Sequence, residues 1–422
     1  LEKKISQEKY NRIMLLGDKS IITEEKISRI YPQRELYSHI IGQIDNDNKG
    51  ISGLEKSFDY ELRTSEKNIK LSLDTDLQYL IREELIKAGQ IFRTKGSAAI
   101  LMDINSGEIL SMVSLPDFDL NRRELIDDEN YINRATKGVF ELGSVFKTFT
   151  YAAGLEEAVI RPDTLFENLE KRVKCAGRTI SEYDEKIPSN LTAEEILIRS
   201  GNIGSIRIGQ KVGIENLKNF LEKIGTQKKL NFDIEEVGEP LSFKWGKCKL
   251  ATASFGHGIT TTPLQLAKGY AIISNGGYEV KPTLFLKDKN IKKNRVLKKG
   301  ISEKVNIALR KIVTSAEGTA EFANVPGYEI GGKTGTAQKV LRSGGYSKKK
   351  INTFVAVFPI SKPKYVLVTL LDETQISSDY VYNYRNKKGS FTGTPFNTAG
   401  WTSVEIAGKI IENIGPILAT KY

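Results

Sequence analysis

The stretch Glu141-Leu-Gly-Ser144-Val-Phe-Lys147-Thr-Phe-Thr150 places a hydroxyl and an amine three residues apart in an apolar run that suits a helix. Residues at this spacing share one helical face, so the two side chains can interact. An amine among apolar neighbours loses hydration, which lowers its pKa and lets it act as a base. Ser144 is therefore the predicted nucleophile and Lys147 its base. Taken alone the pattern is short, and a snorkelling lysine on a core helix explains it more often.

Two further motifs follow in chain order. Ser200-Gly-Asn202 comes after a predicted helix at 192–199, and Lys333-Thr-Gly-Thr336 lies in a predicted strand. Singly, each is more often a turn, a helix cap or a strand end. As an ordered trio they resemble the signature of penicillin-binding proteins and class A β-lactamases. The ordered trio is a specific signature, although each motif alone is common.

Each residue type suits one step of serine acyl transfer. Lys147 takes the proton of Ser144, and Ser200 and Asn202 extend the hydrogen-bond chain and hold the substrate amide. Lys333 adds a second positive charge, which opposes protonation of Lys147 and attracts an anionic substrate.

The remaining residues of the third motif suit recognition of a carboxylate. The hydroxyls of Thr334 and Thr336 can donate to it, and Gly335 lets a bound backbone approach the strand. The amide of Thr336 can join that of Ser144 in an oxyanion hole. We expect an acyl donor that ends in a free carboxylate.

Histidine and cysteine usage disfavours other chemistries. Neither His39 nor His257 stands near a Gly-x-Ser-x-Gly elbow, so a Ser-His-Asp triad is disfavoured. His257 is interpreted as a turn histidine rather than part of a loop near the site. Cys175 and Cys248 have no partners at metal-ligand spacing, so we expect no metal and no cofactor. The two cysteines either pair or stay free.

Composition fits a large globular enzyme. The chain has 422 residues, of which 39% are hydrophobic, and it contains no apolar run long enough to span a membrane. Its start at Leu1 suggests a cut downstream of a membrane anchor. The net charge of +11 comes from scattered lysines, and the sequence contains no known nucleic-acid-binding motif, so we expect no nucleic acid partner. Attraction to an anionic membrane surface or cell wall is a weaker alternative.

Periodicity predicts an α+β fold. Residues 1–70 are polar and irregular and indicate a small N-terminal module, whereas 71–422 form the main domain. A capping box at Thr75-Asp-Leu-Gln78 opens its first helix. We expect a five-stranded antiparallel sheet from both ends of this domain, a mostly helical insert, and a C-terminal helix at about 403–413. The predicted strands are 97–103, 108–113, 333–340, 353–358 and 365–371.

From about Arg29 onward the chain resembles class B penicillin-binding proteins, the monofunctional transpeptidases of bacterial cell-wall synthesis. Beyond the trio, Arg29-Ile-Tyr-Pro32 and Gly50-Ile-Ser-Gly-Leu-Glu55 resemble the pedestal of that family. Lys333-Thr-Gly-Thr-Ala-Gln-Lys339 and Phe255-Gly-His-Gly258 are most similar to the septal type of α-proteobacteria. Gly201 and Leu142 depart from common family residues, but neither removes a functional side chain.

The resemblance implies a D,D-transpeptidase that attacks stem peptides ending in D-Ala-D-Ala, cross-links them at the division septum and is a target of β-lactam antibiotics. It implies a single-pass anchor in the inner membrane, a periplasmic catalytic domain, and partnership with a membrane glycan polymerase and other division proteins.

Several alternatives stay open. An elongation-specific class B enzyme or a D,D-carboxypeptidase would carry the same motifs. A class A β-lactamase needs a deacylating glutamate, and Glu235-Glu-Val-Gly-Glu239 does not match the loop of that family. A non-catalytic division scaffold or antibiotic sensor with a relic site is disfavoured by the intact trio.

Overall fold

The structure is a computed structural model that describes residues 5–24, 29–122, 128–175, 177–287, 294–341 and 345–422. The chain divides into two compact units, 1–32 and 33–422. In the first unit, α1 (Gln7–Met14) begins after Ser6, whose hydroxyl accepts a hydrogen bond from the Lys9 amide at 3.2 Å. None of the helices in these described ranges is long and apolar enough to cross a membrane. The predicted module boundary near residue 70 stays a prediction.

The second unit contains both helices and strands. In chain order they are α2 (Ser38–Ile41), α3 (Gly53–Ser57), α4 (Asp59–Thr64), α5 (Thr75–Phe92), β1 (Gly96–Asp103), β2 (Ile109–Leu115), α6 (Phe146–Glu156), β3 (Leu165–Phe166), β4 (Arg172–Cys175), β5 (Arg178–Ser181), β6 (Leu191–Thr192), α7 (Ala193–Ile198), α8 (Asn202–Val212), α9 (Ile214–Lys223), α10 (Lys247–Ala253), α11 (Pro263–Ser274), α12 (Ile301–Thr314), β7 (Gly331–Val340), β8 (Tyr346–Phe358), β9 (Tyr365–Asp372), β10 (Val381–Asn383), β11 (Ser390–Thr392) and α13 (Ser403–Lys421).

The main sheet has five strands in the order β2-β1-β9-β8-β7, and all neighbours are antiparallel. Strands β1 and β2 come from the start of the domain and β7 to β9 from its end, so the predicted α+β sheet is confirmed. The central strand β9 is buried along its whole length. Helices α5 and α13 pack on each other and on the sheet, and α11 lies against β1, β8 and β9. Burial on both faces explains why β9 is an almost continuous apolar run.

Several predicted boundaries differ from the structure. The cap of α5 is Asp74 rather than Thr75, because the Asp74 carboxylate accepts the amides of Asp76 and Leu77 at 3.0 and 3.1 Å. Strand β8 begins seven residues earlier than predicted, at Tyr346, where it still pairs with β7. Helix α13 runs on to Lys421, because its apolar face stays buried beyond the predicted end.

The predicted helical insert lies between β2 and α11 and holds the first two motifs. Helix α6 is buried along its whole length and packs against α7, α8 and α9. Helix α7 begins with a capping box between Thr192 and Glu195 and ends just before Ser200. The two motifs therefore lie on neighbouring, tightly packed helices.

Candidate active site

The predicted nucleophile lies at the entrance of a buried helix. Ser144 belongs to a 3-10 turn, Gly143–Val145, that leads directly into α6. Lys147 is the second residue of α6 and its side chain is buried, whereas Ser144 is only partly buried. The Ser144 hydroxyl thus lies at the edge of a buried helix, and the Lys147 amine within that helix is removed from water.

Glycines bring this serine turn into direct contact with β7. Gly143 has a φ of +65°, and a Cβ there would lie 2.6 Å from the backbone oxygen of Thr336. A Cβ at Gly335 would lie 2.2 Å from the backbone oxygen of Leu142. Both distances are far below van der Waals contact, so only glycine allows this approach. The first and third motifs therefore meet backbone to backbone.

Lys147 joins the first motif to the second. Its Nζ donates to the backbone oxygen of Ser200 at 2.5 Å, to Asn202 Oδ1 at 2.7 Å and to Ser200 Oγ at 3.2 Å. Within the described ranges, the Ser144 hydroxyl makes no hydrogen bond. Contacts of this kind are often long without substrate and tighten in the reacting complex. The amine is held in place while the nucleophile remains available.

Ser200 lies between two amines. Its hydroxyl accepts a hydrogen bond from Lys333 Nζ at 2.8 Å as well as the longer one from Lys147. Its backbone φ of +56° is left-handed, which costs a non-glycine residue about 1 kcal/mol or more. Strain of this kind is maintained where the surrounding structure demands it, and here it accompanies a hydroxyl that lies between the two lysine amines.

Burial controls the charge of both lysines. It lowers the pKa of Lys147 from 10.5 to about 7, although the negative charge of Glu182 acts in the opposite direction. Burial also lowers the pKa of Lys333 well below its ordinary value, and the positive charge of Lys147 lowers it further. A pKa of about 7 leaves about half of the Lys147 amines neutral at pH 7, which is compatible with the predicted role as a general base.

The other residues of the third motif line the inner edge of β7. The hydroxyls of Thr334 and Thr319 are hydrogen-bonded at 2.7 Å. The hydroxyl of Thr336 accepts the amide of Ala399 at 2.9 Å, so the segment before α13 is bound to this strand. The structure therefore brings all the predicted site residues to one place, and their roles stay predictions.

Other residues at the site were not predicted. Glu182 binds the start of α8, and no sequence motif marks it. Glu141 is buried behind the serine turn, where it accepts the Gly258 amide at 2.9 Å and the Tyr346 hydroxyl at 3.1 Å. Its position three residues before Ser144 was the available signal. The ring of His257 packs on the ring of Tyr346, with their centroids 4.7 Å apart. His257 therefore lies in a loop beside the site, which was the less favoured of the two interpretations.

Cys175 and Cys248 form a disulfide, with their Cα atoms 5.5 Å apart. The pair links β4 to α10 across 73 residues of sequence. Sequence alone had left pairing and free thiols equally open.

Comparison with known proteins agrees with this geometry. The family model of the penicillin binding protein transpeptidase domain matches residues 97–390. The chain belongs to this penicillin-binding protein family. The predicted assignment to class B, with greatest similarity to the septal FtsI type, is confirmed by the relatives below.

The probable peptidoglycan D,D-transpeptidase FtsI of Caulobacter vibrioides is 32% identical to this penicillin-binding protein over 433 residues, covering 99% of the chain and 71% of the relative. The peptidoglycan D,D-transpeptidase FtsI of Escherichia coli K12 is 29% identical, over 90% of the chain and 68% of the relative. The structure of penicillin-binding protein 3 of Mycobacterium tuberculosis with aztreonam has a TM-score of 0.78 and 25% identity, covering 92% of this chain and 90% of that one.

Proposed function

We propose that this penicillin-binding protein is a septal peptidoglycan D,D-transpeptidase that acts through an acyl-enzyme on Ser144. The observation that carries the proposal is the buried Lys147 amine, which the second motif holds three residues from Ser144 and whose pKa burial lowers to about 7. Relatives named D,D-transpeptidases and a relative bound to aztreonam support the same chemistry.

Acylation begins when Lys147 removes the proton of Ser144. The oxygen attacks the carbonyl carbon of the penultimate D-Ala, and the amides of Ser144 and Thr336 stabilise the oxyanion. The C–N bond to the terminal D-Ala then breaks. Ser200, which bonds both lysines, passes the proton from Lys147 to the departing amine. Terminal D-Ala leaves as a neutral amine, and an ester remains on the serine.

Transfer to a second stem peptide reverses these steps. A neutral acceptor amine attacks the ester carbon, its proton returns through Lys147 to Ser144, and the C–O bond breaks. A new amide cross-links the two stems. An amine is a stronger nucleophile than water, so this step needs no further base.

The third motif is proposed to bind the terminal carboxylate of the donor. Lys333 is fully buried and its pKa is low in the free enzyme because burial disfavours the charged form. An anionic carboxylate beside the amine favours protonation, so the substrate supplies its own countercharge. Thr334 and Thr336 donate hydroxyl hydrogen bonds to the same group. β-Lactams, which also carry a carboxylate, would be bound in the same way.

Two of the three glutamates considered for a β-lactamase are engaged elsewhere. Glu235 forms an ion pair with Lys56 at 2.6 Å, and Glu236 accepts the Gly53 amide at 3.1 Å. Neither carboxylate bonds Ser144 in the described part of the chain. This arrangement favours a stable acyl-enzyme over hydrolytic turnover.

The predicted surroundings are carried over as proposals. Residues 1–70 would act as the pedestal module, below a single-pass anchor in the inner membrane. The disulfide suits the oxidising periplasm, where such bonds persist. A membrane glycan polymerase and other division proteins are the proposed partners.

A donor and acceptor assay tests the function. The enzyme is incubated with a stem pentapeptide ending in D-Ala-D-Ala and with an amine-bearing acceptor peptide. The products are then separated by chromatography and identified by mass spectrometry. We expect D-Ala release matched by a cross-linked dimer, with neither product from Ser144→Ala. Release of D-Ala with only hydrolysed donor would identify a D,D-carboxypeptidase instead, and no release or penicillin label at all would favour a scaffold.

A further inference from the structure

The β4–β5 hairpin supports the second motif from outside that motif. Its side chains Val173 and Ile180 pack against a small apolar cluster formed by α8 and α10. The Cys175–Cys248 disulfide bonds the end of β4 covalently to α10. The hairpin is thus held by packing on one helix and by a covalent bond to another.

The residue that follows this hairpin, Glu182, binds the start of α8. Its Oε2 accepts the amide of Asn202 at 2.6 Å, and its Oε1 accepts the amide of Ile203 at 2.8 Å. The first amides of a helix have no partners within the helix, and the capping position is occupied by Gly201, which has no side chain. Glu182 supplies the missing cap from another element.

The same contacts orient the amide of Asn202. Its Nδ2 donates to the backbone oxygen of Ser181 at 2.9 Å, which directs Oδ1 to Lys147 Nζ at 2.7 Å. The hairpin and the residue that follows it therefore fix both the backbone and the side chain of Asn202, and Asn202 in turn binds Lys147.

Glu182 also acts on Lys147 through its negative charge. Burial dominates the pKa of Lys147 and lowers it, and the negative charge of Glu182 opposes that effect. Lys333 on β7 is the other titratable side chain close to this amine, which it meets through Ser200, while the direct partners of Lys147 on α8 and the preceding turn are uncharged.

The disulfide connects this arrangement to the serine turn. Helix α10 continues into the loop 255–258, where a Cβ at Gly256 would lie 1.9 Å from the backbone oxygen of Gly143. The amide of Gly258 donates to Glu141 in the same region. The disulfide thus connects the hairpin that binds the second motif to the helix whose following loop packs against the Ser144 turn.

We infer that Glu182 is a positioning residue for acylation of Ser144, an inference that rests on the proposed function: its carboxylate fixes Asn202 against Lys147, and the disulfide keeps the hairpin that presents it in place. The first motif is thereby aligned by a residue that belongs to none of the three motifs.

The test compares Glu182→Gln with Glu182→Asp and with the control Glu185→Gln. Glu185 is exposed, three residues further on, and forms an ion pair with Arg172 at the surface at 3.6 Å. Acylation by a fluorescent penicillin is followed across pH, with circular dichroism melts to verify folding. The acid limb of this profile reports the protonation of Lys147, which a purely structural role of Glu182 would not move.

Glu182→Gln should lower the plateau rate at least about tenfold, because a displaced base loses alignment with its proton donor. It should also move the acid limb to lower pH by about half a unit, since the opposing negative charge is gone. Glu182→Asp keeps the charge, so it should lose rate but keep the limb, and Glu185→Gln should match the wild type. An unshifted limb in Glu182→Gln, with or without a slower rate, would overturn the inference. Absence of acylation in the wild type would instead refute the proposed function.

A double-mutant cycle tests the part of the disulfide. Replacing both cysteines by serine should slow acylation in the wild-type background and have less effect in Glu182→Gln, because the two changes act through one element. An equal loss of acylation rate in both backgrounds would show that the disulfide and Glu182 act independently.

Discussion

Acylation of Ser144 should follow the neutral fraction of Lys147, because only an unprotonated amine can accept the serine proton. Burial lowers the pKa of Lys147 from 10.5 to about 7. At pH 7 about half of the molecules then hold a neutral amine, compared with roughly one in three thousand for a lysine of ordinary pKa. The fold therefore makes the base available in the neutral range.

Stopped-flow labelling with a fluorescent penicillin measures this dependence. The acylation rate should rise about tenfold from about pH 6 to about pH 8 and then level off, as expected for one group titrating near 7. Lys147→Ala should abolish acylation at saturating antibiotic. Lys147→Arg is the matched control, since a guanidinium keeps the positive charge but cannot take a proton.

The reasoning would be refuted by a rate that stays flat between these pH values or keeps rising toward pH 10. Near-normal acylation by Lys147→Arg would be equally damaging, because it would show that positive charge, and not proton acceptance, is what the site requires.

Three further changes test the geometry around the nucleophile. Thr336→Ala should raise about tenfold the penicillin concentration that half-saturates labelling, through one lost hydrogen bond to a charged group, and spare the rate at saturation; an unchanged concentration would exclude the hydroxyl from binding. Gly335→Ala places a Cβ 2.2 Å from a backbone oxygen beside the serine turn and should slow acylation about a hundredfold or more, whereas Gly246→Ala, with nothing within 4 Å, should not. Equal rates for these two variants would contradict the close contact of the first and third motifs. Replacing Cys175 and Cys248 by serine opens a loop spanning 73 residues and should lower the free energy of unfolding by about 4 kcal/mol in a denaturant titration; a loss below about 1 kcal/mol would contradict the cross-link.

Much of the site could be predicted because its motifs are continuous in sequence. Ser144 and Lys147 are related by helical spacing, and Lys333 to Thr336 lie on one strand, so local geometry already places them together. The sheet was predictable for a similar reason, since strands covered on both faces are apolar runs. The C-terminal helix was placed correctly but ended too early, because Pro416 does not stop a helix whose buried face continues to Leu418.

The parts that were not predicted depend on contacts between distant segments. Glu182 bonds an amide 20 residues further along the chain, and Tyr346 bonds Glu141 across 205 residues. The early start of β8 was hidden because residues 346–350 are mostly polar and none of them is buried, so they lack the alternation that marks a strand. The cap of α5 was misplaced by one position because Asp74 and Thr75 are both good capping residues.

The most direct test of the central claim is intact-protein mass spectrometry after treatment with penicillin. We expect one penicilloyl adduct on the wild type, located by proteolysis to the peptide that contains Ser144, and none on Ser144→Ala. The adduct should persist for many minutes, because no glutamate among the described residues bonds Ser144 and could activate water there to attack the ester. An adduct that survives in Ser144→Ala, or one that is lost rapidly while the enzyme hydrolyses nitrocefin over many turnovers, would contradict a transpeptidase acylated at Ser144.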